Sequence, residues 1–145
     1  MSLSEYRQQA KEALETLYEI EDIIESALAD SENYWTWAGF FSDKKEEILP
    51  LKDRGKQAVD QLQESVESIR SSLEGGELSQ VFDEIDRNKE RVIDVVDELR
   101  EFAGVKAAVM EGDKLADLLD KLLDRFRDTS EAVETLINKL QDRDS

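Results

Sequence analysis

Leu115, Leu119, Leu122, Phe126, Thr129, Val133, Leu136 and Leu140 stand alternately four and three residues apart. Such steps keep one side of an α-helix apolar, whereas on a strand they would scatter over both faces. Three earlier stretches repeat the spacing. Leu3, Tyr6, Ala10, Ala13, Leu17, Ile20, Ile24 and Ala27 form the first seam. Ile48, Leu51, Gly55, Val59, Leu62, Val66, Ile69 and Leu73 form the second. Leu78, Phe82, Ile85, Val92, Val96 and Leu99 form the third, widened by Val81, Ile93, Val95 and Phe102. The alternation of a strand is found nowhere.

Local signals set the expected helix limits. Ser2 and Glu5 make a capping box before the first helix, predicted over 2–33. Asp43, followed by Glu46, is the expected cap of a second helix over 43–74. Pro50 falls inside that stretch, which predicts either a kink or a short turn with the main helix starting at the proline. Glycines 75 and 76 close it. The third helix is expected over 77–103, and the fourth over 113–141 with Asp113 as cap. Four amphipathic helices with short connections predict one all-α domain, 1–145, folded as an up-down-up-down four-helix bundle. Two long helical hairpins completing their cores by dimerisation are the alternative.

Composition narrows the function. Against 19 Lys and Arg stand 36 Asp and Glu, a net charge of −17 with pI near 4.3. Nucleic acid and anionic membrane would repel such a chain, which leaves basic proteins and cations as electrostatic partners; an acidic surface also suits a saline habitat. With no cysteine there is no thiolate metal site and no disulfide. With no histidine the commonest general base is gone, as are the Glu-x-x-His ligands of carboxylate-bridged di-metal bundles. The expectation is therefore a protein that is not an enzyme and carries no cofactor and no metal. "MSLSEYRQQAKEALE" lacks the apolar region of a signal peptide, and the longest uncharged run, Asn33 to Ser42, is about half a membrane span. A cytoplasmic, soluble chain is expected, with leaderless secretion left open.

That uncharged run, "NYWTWAGFFS", holds five of the ten aromatics: Tyr34, Trp35, Trp37, Phe40 and Phe41. In an up-down bundle the first and third connections share a pole, so these rings should meet Val105, Val109 and Met110 of "AGVKAAVMEG". Two readings compete. The rings can plug the open end of the bundle, since aromatics bury large areas. Alternatively, some stay uncovered and form a partner-binding patch, because exposed rings are typical of contact surfaces. The eight residues named are the candidate partner-binding set, with shallow membrane insertion as a lesser option.

Trp37-Ala38-Gly39, about 40 residues in and between two predicted helices, resembles the WxG turn of the small helical-hairpin proteins exported by type VII secretion. The resemblance covers residues 1–74. It implies a tight interhelical turn built by the tryptophan and glycine, a hairpin that dimerises, and export. The chain departs from that pattern: Pro50 interrupts the second helix, two more helices follow, and the tyrosine-containing export signal does not. Tyr18 to Asp22 has a Tyr-x-x-x-acid spacing, but within helix one.

"FDEIDRNKERVIDVVDEL", Phe82 to Leu99, is similar to an EF-hand, with Asp86, Asn88, Glu90 and Asp94 at ligand spacing. Arg91 occupies the position that needs glycine and Asp97 the position of the bidentate glutamate, so a continuous helix is the better reading. Asp117, Asp120 and Asp124, interleaved with Lys121, Arg125 and Arg127, read as a solvated face with i, i+4 pairs. Thr129 and Ser130 have no evident base.

The function expected is thus non-enzymatic: an acidic helical bundle that binds a protein, of the inhibitor or immunity type if its partner is basic. The alternative is a structural or secreted assembly subunit, including a WxG-like substrate and a homodimer.

Overall fold

The spacing of three and four becomes four antiparallel rods in a computed structural model that describes residues 3–73, 78–102, 106 and 110–144. Helix α1 is Leu3–Ser31, α2 Trp37–Ile48, α3 Leu51–Ser72, α4 Ser79–Arg100 and α5 Gly112–Asp144. Among the described residues there is no strand. The glycines expected to close the second helix lie outside the described residues.

Helices α2 and α3 make one rod with a break. Leu49 and Pro50 keep right-handed helical backbone, at φ −59°, ψ −42° and φ −64°, ψ −19°. Proline has no amide hydrogen to give the preceding turn, so the ladder stops there. It restarts when Arg54 N donates to Pro50 O at 2.8 Å. Of the two alternatives the break within one rod is present; the short turn before the proline is not, because residues 43–48 are helical in α2.

Side-chain links fix the order of the rods. Arg54–Glu19 (3.5 Å) and Lys44–Asp30 (2.9 Å) join the broken rod to α1. Arg70–Asp86 (2.8 Å) and Arg100–Asp53 (3.2 Å) join α3 to α4. Asn88 Nδ2 donates to Asp128 O across α4 and α5 at 3.3 Å. Arg127–Glu25 (3.3 Å) and the Tyr18 hydroxyl to Glu134 (3.2 Å) close the ring from α5 to α1. Where two links join one pair, numbers rise on one helix as they fall on the other, the signature of antiparallel neighbours. The backbones of α1 and α4, and of α3 and α5, stay apart and the diagonals meet through core side chains and at the α2 end, where Trp37 reaches Gly112. This is the up-down-up-down bundle, closed within one chain, so its core needs no second copy. Exposed ion pairs contribute little each; the burial of Leu17, Ile20, Ile24, Leu62, Ile69, Ile85, Leu115 and Phe126 supplies the stability.

Gly55 explains itself at the middle of this core. A Cβ there would stand 3.2 Å from Val96 Cγ2 and 3.5 Å from the Phe126 ring. The absent side chain is the space the phenylalanine occupies. Thr129, the one polar residue in the α5 seam, gives its hydroxyl to Arg125 O at 2.8 Å.

Three sequence readings are revised or sharpened here. Asp43 does not cap the second helix: α2 already starts at Trp37, and Asp43, inside it, accepts from the Tyr34 hydroxyl. Helix α5 starts one residue before Asp113, with Leu115 N donating to Glu111 O at 3.0 Å. The EF-hand-like stretch is helical from end to end, and Asp86 pairs with Arg70 and with Lys89 (3.5 Å). Asp117, Asp120 and Asp124 are exposed, as a solvated face requires.

Ser130 does meet a carboxylate. Its hydroxyl donates to Glu21 Oε1 at 3.0 Å, sealed between α1 and α5. Glu21 is only 8% exposed. Burial raises its pKa, against the hydrogen bond from Ser130 and the charge of Arg127. The folded state therefore holds the proton more tightly than the unfolded chain does. The resulting stability is full below the ordinary glutamate value and is lost as pH rises through the elevated one. Glu21→Gln should raise the melting temperature at neutral pH by a few degrees and flatten the decline above pH about 4.5, read by thermal unfolding over a pH series.

Candidate functional site

The first connection is shorter than the uncharged run that marks it. Asn33 N donates to Asp30 O at 3.1 Å and Tyr34 N to Ser31 O at 3.3 Å, which winds off the end of α1. Thr36 then takes extended backbone (φ −138°, ψ 151°), and its hydroxyl accepts from Gly39 N at 3.1 Å. That is a side-chain cap on the third amide of α2, one of the donors a helix start leaves unmet. Thr36 was legible only weakly: no acidic residue follows it, and the aromatics around it read as loop.

The cap decides where each ring goes. Trp37, Ala38 and Gly39 form the first turn of α2, so the WxG-like triplet is helical and the reversal of the chain lies before it, over 32–36. Phe40 and Phe41, one turn in, point into the bundle end at 1% exposure each. Trp37 meets Phe40 edge to face at 5.1 Å, and Tyr34 does so at 5.4 Å. Tyr34 and Trp37 are half-buried against the core. Four of the five rings thus close the bundle end, and Phe40 and Phe41 leave the candidate surface because that end encloses them.

Trp35 is the exception. Standing on the turn before the cap, it is 100% exposed. Met110, from the third connection, is 75% exposed. The one other exposed large hydrophobic residue among the described residues is Tyr18, at only 39%, whose hydroxyl is tied to Glu134. Val105 and Val109, also expected here, lie outside the described residues.

The two connections do share this pole. A cleft of about 380 Å³ runs between Thr36, Trp37 and Ala38 on one side and Met110 to Asp113 on the other. Gly112 makes the approach possible: a Cβ on it would stand 2.3 Å from Trp37 Cγ. Gly112→Ala would push a rigid indole out of place, an overpacking cost of about 1–3 kcal/mol, which urea unfolding would read. A larger cleft, about 470 Å³, opens at the Pro50 break between Asp22, Glu46, Glu47 and Arg54, with Ile23 as its apolar wall. It carries no ring.

Charge surrounds the tip unevenly. Glu32, Glu111 and Asp113 are exposed. Lys44 is held by Asp30, and that hydrogen bond raises its pKa; Tyr34 is likewise raised by its bond to Asp43. The Lys114 ammonium lies 5.9 Å from the Phe102 ring centre. Among the described residues, no group of three or more acidic side chains is arranged to hold a metal, and no helix is long and apolar enough to cross a membrane. Set beside family models, curated proteins and solved structures, the chain matches none.

Proposed function

We propose that this is a non-enzymatic, acidic helical-bundle protein that binds a protein partner through the pole carrying Trp35. One observation carries the reading. The two most exposed large hydrophobic side chains among the described residues, Trp35 and Met110, belong to different connections and the same tip. Leaving an indole wholly in water has no benefit to folding, and such rings are typical anchors of protein interfaces. An inhibitor or immunity-type role in the cytoplasm, neutralising a basic partner, fits the net charge of −17, which would speed the encounter.

Site-specific photo-crosslinking in the native source tests this. A crosslinker replacing Trp35 should capture one protein repeatedly, and one replacing Glu90 on the outer face of α4 should not. Equal capture at both positions would reject the tip as the binding surface. The second reading is a secreted or structural assembly subunit, although the WxG-like triplet lies in the first turn of α2 and not in the reversal. That reading predicts a stable oligomer of the purified chain by light scattering.

A further inference from the structure

The exposed indole and the neighbouring cleft differ in what they can take. Trp35 projects into solvent, whereas the cleft is concave, about 380 Å³, with Trp37, Ala38 and Met110 as apolar walls. Trp37 is braced by Phe40 behind it and by the bare Gly112 backbone in front, so that wall is preformed. Glu111 and Asp113 complete the lining, and Glu32 is exposed on the turn that carries Trp35. A concave apolar floor with acids at its margin suits an apolar side chain flanked by cations.

We infer that this cleft seats one apolar side chain of a basic protein segment, whose flanking Lys or Arg residues pair with Glu111 and Asp113 while Trp35 covers the segment. The inference rests on the proposed function and adds the chemistry of its partner. Charge selects this occupant. A second copy would set the same acids against one another on chains of −17 each, and an anionic lipid surface would be repelled in the same way. The nearby cations do not reverse the sign: Lys44 is engaged by Asp30, and the charges of Lys114 and Lys106 are outnumbered by those of Glu32, Glu111 and Asp113.

The test uses the full chain and three short fluorescein-labelled peptides, followed by anisotropy. The first alternates Lys and Leu; the others replace every Lys by Glu or every Leu by Ala. The Lys–Leu peptide should bind about tenfold or more tightly than either analogue, and its affinity should fall with salt. Glu111→Gln with Asp113→Asn should reduce the preference for Lys over Glu more than the same pair of changes at Asp117 and Asp120 on the outer face of α5, with circular dichroism confirming the fold. Trp35→Ala should weaken the Lys–Leu peptide without unfolding the bundle.

Equal binding of the Lys–Leu and Glu–Leu peptides, both lost in Trp35→Ala, would overturn the charge selection and leave the tip as a docking surface. No saturable binding of the Lys–Leu peptide would overturn the inference, and binding indifferent to Trp35→Ala would overturn the proposed function with it. A dimer by light scattering that Trp35→Ala dissolves would assign the cleft to a second copy. A Trp35-dependent blue shift on phosphatidylglycerol vesicles would assign it to lipid.

Discussion

Phe40→Ala should lower the unfolding free energy by about 3–5 kcal/mol, while Trp35→Ala should leave it within about 0.5 kcal/mol. Both residues belong to one uncharged run, and sequence alone treats them alike. The difference is the Thr36 cap. It starts α2 early enough to turn Phe40 under Tyr34 and Trp37, at 1% exposure, and leaves Trp35 outside the helix. Truncating Phe40 opens a cavity where the surrounding rings cannot collapse fully. A domain of this size is stable by about 5–15 kcal/mol, so the loss is a large fraction of the whole. Urea unfolding of the two variants reads the contrast directly. Similar losses in both would mean that Trp35 packs onto the bundle.

The same Trp35→Ala change should be severe for binding. Interface tryptophans commonly contribute 2 kcal/mol or more, so affinity for the crosslinked partner should fall at least about thirtyfold by calorimetry. Tyr18→Phe should leave that affinity unchanged, since Tyr18 lies on α1 and is tied to Glu134. Burial, foremost, and the Glu134 charge raise the pKa of Tyr18, so it stays neutral under physiological conditions. Raising ionic strength should slow association, because the acids around the tip act at long range.

Much of the fold was legible because helix seams are written in spacing. The α5 seam from Leu115 to Leu140 is apolar at each step but Thr129, and Thr129 satisfies its hydroxyl within its own helix. The shared pole of the two apolar connections followed from topology. Details that depend on one hydrogen bond were not legible. Asp43 looks as good a cap as Thr36 until the backbone is seen, and that choice shifts the start of the second helix from 43 to 37. The close contact of Gly112 with Trp37 joins residues 75 positions apart and leaves no local trace. Glu111 and Asp113 were hidden for another reason: among 36 acidic residues, two at a cleft look like the rest.

The account turns on the first and third connections meeting at one end of four antiparallel rods. The chain has no cysteine, so spin labels can be placed on pairs of introduced cysteines without removing any native one. Double electron–electron resonance on a Glu32→Cys, Glu111→Cys pair should give a short distance, within about 20 Å. A Glu32→Cys, Ser79→Cys pair should give a longer one, at least the roughly 33 Å length of α4 at 1.5 Å per residue. A long distance for the first pair and a short one for the second would place the two connections at opposite ends and remove the surface proposed for the partner.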